Sequence, residues 1–356
     1  MSRRRDLMQL LSESRPTRLD PGESQLDLAT LTAYPPQEPA QRAARPAARR
    51  RLVLTAGLVP ALAVGALAVA VVVHQPAPTP RPEAARSVTP QSAAARQFLL
   101  AAADRVAGSE AGSGQYWQIN MEVGDVREVG PANGRYDIAV RMGVEDWLAT
   151  DPDGRSWTFF QRLGGRPISA ADLAAWRRDG SPARWGDVSV APGPRRLRTP
   201  EGVDSRQNYF LGSQSVTAAE LTALPADPAA LQAELSRRHA DSQESRTEFL
   251  FWSGTSLVLD LPVSPEMRAA AYRMIAGLDG VTSLGAVTDQ LGRTGVAIAY
   301  ARRGDGGVPL QTRLILDPRT GRALAEETWR VGVPDRLVHY RAIVEAGWTD
   351  ANPPTA

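Results

Sequence analysis

The sequence predicts an α+β protein. One transmembrane helix precedes an extracytoplasmic domain built on a curved, half-open barrel-like antiparallel sheet with packed helices. Three observations lead there. An uncharged run of 22 residues, Leu52–Val73, follows a cluster of arginines. Beyond Tyr116 apolar residues recur with strand period, with turn residues between the runs. Capped helical segments stand beside these strands instead of alternating with them, which favours an antiparallel sheet over a doubly wound parallel one.

Composition narrows the chemistry. All 41 basic residues are Arg, and both Lys and Cys are absent. With abundant Ala and Pro, this points to a GC-rich coding sequence, as in a high-GC bacterium. Without lysine there is no Schiff-base catalysis and no Walker-type phosphate lysine. Without cysteine there are no disulfides, thiolate nucleophiles, iron–sulfur clusters or thiolate zinc sites. The net charge of +2 hides an asymmetry. Residues 1–51 hold ten Arg against six acids, a net +4, and residues 74–356 hold 31 Arg against 33 acids, a net −2. The basic excess adjoins an apolar run, so membrane topology explains it better than a nucleic-acid partner.

Residues 1–51 read as a largely disordered cytoplasmic tail. Its Leu7, Met8, Leu10 and Leu11 patch is either a docking peptide for a cytoplasmic regulator or part of a solvated tail that sets orientation. Residues 52–73 are long enough to cross a hydrocarbon core of about 30 Å. Arg42, Arg45, Arg49, Arg50 and Arg51 precede them, and only Arg81 and Arg86 follow closely. That bias places the N-terminus in the cytoplasm and the larger part outside the cell membrane. A buried core helix and a cleaved signal are the competing readings of the run. Its length and the residues before it argue against a signal. Residues 74–92 are a Pro-rich linker, 93–350 the folded domain, and 351–356 a disordered C-terminus.

Within the domain a helix is expected over Ala93–Ala107, with Phe98, Leu99, Ala102 and Val106 on one face. Strands are expected from Tyr116, over Tyr136–Val144 and Glu145–Thr150, and over Ser156–Arg162. Asp151 to Gly154 supply a turn. A helix follows over Ala229–Arg238. Ser256–Leu261 reads as an apolar strand. Ser264, Pro265 and Glu266 form an N-cap, a first-turn proline and an early acid, opening a helix that Gly277 stops. Strands are then expected over Val281–Thr288, Gly295–Ala301, Thr312–Leu316 and Arg322–Trp329. Gly321 suits positive φ in the hairpin from Asp317.

No catalytic, cofactor-binding or metal-binding residue stands out. The chain has no GxGxxG, GxxxxGK, GxSxG or HExxH motif. His74, His239 and His339 lie far apart, and His239 with Asp241 and Ser242 is contiguous, as an assembled triad is not. Arg302 to Gly307 joins two strands and starts no helix, so it reads as a solvated hairpin. Eight Trp suggest either an aromatic-lined cleft or, more plainly, core filling. Trp176 and Trp185, in a polar stretch, fit the core reading least well.

The order of features resembles an uncharacterised family of actinobacterial single-pass membrane proteins. The matching elements are the Arg-flanked run at 49–73, Gly114-Gln115-Tyr116-Trp117, and Leu224-Pro225-Ala226-Asp227-Pro228. They continue with Leu261-Pro262-Val263-Ser264-Pro265-Glu266 and the Leu316 to Gly321 hairpin. The strand–turn–strand texture is also similar to the lipoprotein-carrier and periplasmic sigma-factor-regulator fold. The resemblance implies no catalytic residues. A curved sheet with helices on its concave face can hold an acyl chain or a peptide. The expectation is therefore a non-enzymatic, membrane-anchored cell-envelope protein that binds or senses a lipid, lipoprotein or peptide, with no cofactor. A cell-envelope hydrolase and a structural anchor are the alternatives.

Overall fold

A computed structural model describes residues 89–354, apart from 152, 198–202, 205–208 and 242–243. Helix α1, Pro90–Ala107, starts where the Thr89 side chain accepts from the Ser92 amide and Pro90 presets the first turn. It buries Leu99, Ala102 and Val106. Three long antiparallel strands follow, β1 (Tyr116–Val129), β2 (Tyr136–Ala149) and β3 (Arg155–Pro167). The β2–β3 turn closes with the Gly154 amide donating to the Asp151 carbonyl at 2.9 Å.

Short elements come next: α2 (Ala170–Arg178), β4 (Arg184–Trp185), β5 (Val188–Ser189), β6 (Arg195–Leu197) and β7 (Val203–Asp204). The chain continues through β8 (Tyr209–Leu211), β9 (Gln214–Val216), α3 (Ala218–Thr222) and α4 (Pro228–Arg238). Two core helices, α5 (Arg246–Leu259) and α6 (Pro265–Ala276), lead into a meander of β10 (Val281–Thr288), β11 (Thr294–Arg303), β12 (Pro309–Leu316), β13 (Ala323–Arg330) and β14 (Arg336–Thr349). The N-cap of α6 is Ser264, whose hydroxyl accepts from the Met267 amide at 3.2 Å.

The long strands form a ten-stranded sheet in the order β10-β11-β12-β13-β14-β1-β2-β3-β6, with β7 also on β3. Its two meanders join where β14 pairs with β1, Trp117 opposite Trp348 and Val123 opposite Arg341. One face lies against the helices. Alternation along β1 turns Trp117, Ile119, Met121 and Val123 that way, and Ile298, Leu314 and Ile343 join them with Phe251, Met274 and Ile275 in one core. The second face has a separate, smaller core of Ala139, Ala297, Ile315, Ala325, Leu337, Tyr340 and Ala342. Its alanines leave room for Leu291, from the β10–β11 turn, to pack on it.

Several expectations are corrected. Ser256–Leu261 is not a strand: Ser256–Leu259 is the last turn of α5, in which every residue from Phe249 to Leu259 is buried. A helix buried on all sides shows no amphipathic period, so its apolar run reads equally well as a core strand. Tyr136–Ala149 is one strand instead of two.

The half-open barrel is replaced by an open sheet, because its end strands, β10 and β6, are not bonded to each other and no barrel closes. Among the described residues no helix is long and apolar enough to cross a membrane. The run at 52–73, with the tail and most of the linker, lies outside the described residues. The expected transmembrane helix, and the single-pass cell-membrane location with an extracytoplasmic domain, are therefore withdrawn.

Candidate ligand-binding site

Charge is concentrated on the second face of the sheet. Because Met121 and Val123 face the helices, Glu122 between them projects to the opposite side, where it is 5% exposed. A carboxylate there needs partners. The Arg141 guanidinium supplies two donors at 2.9 and 3.0 Å, and the Tyr340 hydroxyl donates at 2.6 Å. Burial disfavours the ionised form, but the Arg141 and Tyr340 hydrogen bonds outweigh it and hold this carboxyl below its ordinary range. Burial, then the Glu122 carboxylate, pushes the Tyr340 phenol up. Further along, Arg336 bonds Asp137 at 3.0 Å and Glu128 at 2.8 Å.

The β10–β11 turn folds onto this face. Asp289 organises it, accepting from the amides of Leu291 at 3.0 Å and Arg293 at 2.8 Å and from Arg293 Nε at 2.7 Å. Arg293 then reaches across the sheet to the carbonyls of Leu324, at 2.9 Å, and Ile343. Both carbonyls lie beside register shifts: Ile343 at the bulge between β1 and β14, and Leu324 at the bulge between β12 and β13. Arg293 thus supplies donors where the ladders are interrupted. A third tie runs from Arg166 on β3 to the Gln290 carbonyl.

Between these walls lies a cavity of about 360 Å³, lined by Arg166, Pro167 and Ile168 on one side and residues 289–292 on the other. Behind it the Gln290 amide donates to Glu327 at 3.2 Å, and the Trp329 indole donates to the same carboxylate at 2.7 Å. Burial pushes Glu327 up, despite the Trp329 and Gln290 hydrogen bonds. Arg313 covers the Trp329 ring at 4.2 Å and bonds Asp335.

A second buried charge cluster lies on the helix side. Arg341 bridges Asp260 at 2.7 Å and Glu326 at 2.8 Å. Burial, partly offset by Arg341, raises the Asp260 carboxyl. Arg268 lies over Trp117, whose indole donates to the Asp260 carbonyl at 2.9 Å. These contacts close the end of α5 against the sheet.

The residues weighed from the sequence are dispersed. His239 contacts the Glu244 carbonyl at 2.7 Å and packs near Phe249, and Ser242 lies outside the described residues. His339 pairs with Asp125 at 2.9 Å. His74 is outside the described residues. Arg302 lies over Trp252 and pairs with Glu248 at 3.5 Å, while Arg303, at the end of β11, donates to the Gly307 carbonyl. Trp117, Trp147 and Trp252 are buried, and Trp176 and Trp185 pack in a small cluster with Tyr136, Ile138 and Val188. The core reading of the tryptophans therefore extends even to the polar segment. Among the described residues no group of three or more His, Asp or Glu side chains is placed to hold a metal ion.

Sequence reasoning did not single out Glu122, Arg141, Arg166, Asp289 or Arg293. An acid amid the apolar residues of β1 was the available signal, but its partner Tyr340 stands 218 residues away. No protein-family model, curated protein or solved structure matches the chain. The family resemblance read from the order of motifs thus rests on those motifs alone.

Proposed function

We propose that this chain is a non-catalytic binding protein that takes a small polar ligand in the cavity between the end of β3 and the β10–β11 turn. The observation that carries this reading is the pinning of the turn. Separate bonds tie it to β3 through Gln290, to β13 and β14 through Arg293, and to the buried Glu327 through the Gln290 amide. A wall held in this way keeps its shape before a ligand arrives, which reduces the ordering cost of binding. A volume of about 360 Å³ lies at the small end of ligand sites.

Binding fits the surroundings better than hydrolysis. Asp289, the carboxylate in the cavity wall, has both oxygens engaged by the turn and Arg293, which leaves it poorly placed as a base. A lipid ligand between sheet and helices fits less well, because Phe251 stacks on Tyr300 there with ring centroids 5.4 Å apart, and Ile298 and Leu314 are fully buried.

The test is a thermal-shift screen of the full chain against neutral, cationic and anionic small molecules, repeated on Ile168→Trp, which fills the cavity. At least one class should raise the melting temperature of the parent and not of the variant. If no compound of any class does so, the binding reading is wrong.

A further inference from the structure

We propose that the group recognised in this cavity is a small oxyanion, a carboxylate or phosphate free in solution, and that Arg166 is the residue that holds it. This rests on the binding reading above and specifies its ligand.

The inference follows from how the local charges are distributed. Glu122 is engaged by Arg141 and Tyr340. Asp289 is neutralised by Arg293 at 2.6 Å. Arg336 pairs with Asp137 and Glu128, and Arg313 with Asp335. Glu327 receives neutral N–H groups from Gln290 and Trp329. Arg166 differs from the other arginines of this face. Its bonding partner is the Gln290 carbonyl, a neutral acceptor. Among the described residues no carboxylate bonds it, and the Glu122 carboxylate, already held by Arg141 and Tyr340, feels its charge without a direct contact.

A guanidinium presents five N–H donors in a planar fork, and one bond to a carbonyl leaves most of them free. That fork matches the two oxygens of a carboxylate or phosphate, and charge-assisted pairs of this kind are about twice as strong as neutral hydrogen bonds. The Gln290 contact also fixes the side chain at the cavity wall. A pre-positioned cation loses less rotamer freedom on binding than a free surface arginine does.

Isothermal titration of the full chain with inorganic phosphate and with succinate tests this directly. A co-sedimentation arm uses phosphatidylglycerol and phosphatidylcholine vesicles. At least one soluble anion should bind saturably, and more weakly as NaCl is raised. Arg166→Gln should weaken that binding at least about tenfold, and Arg166→Lys, which keeps the charge but not the fork, should fall between. Circular dichroism checks that each variant is folded. If Arg166→Gln does not fold, Arg166→Lys alone decides, and an affinity equal to the parent's overturns the proposal. No binding of either anion, binding unchanged in Arg166→Gln, or binding to phosphatidylglycerol vesicles alone also overturns it. A neutral compound that stabilises the parent but not Ile168→Trp, with neither anion bound, would refute the oxyanion and leave the binding reading standing. Silence from every compound in both assays would remove both.

Discussion

The ring of Tyr340 occupies the space where a side chain at Gly124 would stand. A Cβ built on Gly124 would lie 2.1 Å from Tyr340 Cε1 and 2.4 Å from Cζ. The two residues are direct partners across β1 and β14. The close approach lets the buried Tyr340 hydroxyl reach Glu122, two residues along β1.

Gly124→Ala should therefore destabilise the protein by about 1–3 kcal/mol or more through overpacking. Gly124 is not among the positive-φ glycines, so the cost would not come from backbone strain. Urea unfolding measures it, and a neutral outcome would mean that the ring moves aside freely.

Glu122 links this site to pH. Its folded-state carboxyl titrates below the ordinary value of 4.5, so the stability it confers is fully present above that value. It should be lost as pH falls from there through the lower folded-state pKa. Glu122→Gln should flatten this acid limb of the stability curve. At pH 7 it should cost about 3 kcal/mol, the lower end for breaking a buried pair, since Arg141 keeps some solvent contact. Chemical denaturation at pH 3 to 7, as a series, gives both readings.

Arg293 is predicted to be the costliest arginine to remove. Arg293→Met leaves Asp289 buried without its cation and withdraws donors from the Leu324 and Ile343 carbonyls, an expected loss of about 3–5 kcal/mol. In a double-mutant cycle, Asp289→Asn should recover part of that loss. Strict additivity of the two changes would show that the pair is not coupled.

The helix–sheet core gives a plainer contrast. Ile275 on α6 and Ile298 on β11 are fully buried in one cluster, and each change to Ala should cost about 2–5 kcal/mol. Arg303→Ala, at the exposed end of β11, should stay within about 0.5 kcal/mol. The reverse ranking would overturn the packing described for the C-terminal half.

Local signals set much of the secondary structure. Val281–Thr288 was legible to the residue, and β11, β12 and β13 to within a few residues at each end, because alternation and turn chemistry act over neighbouring positions. The same is true of the Ser264 cap and of Gly321, whose φ is +74° and whose Cβ would lie 2.9 Å from the Ala102 carbonyl. The exclusion of lysine and cysteine chemistry needed nothing beyond composition.

Tertiary structure decided the rest. Helix α5 is buried on every side and so has no polar stripe to give it a period. Strand β14 pairs with both β13 and β1, and register shifts on both sides interrupt its alternation. The bonds that build the candidate site join Glu122 to Tyr340, Arg166 to Gln290 and Arg293 to Ile343, across 218, 124 and 50 residues. Propensity and periodicity report on a residue's immediate neighbours along the chain. Which charge meets which across a sheet depends on register and on the turn that folds over it, and these are fixed only when the two meanders pack together.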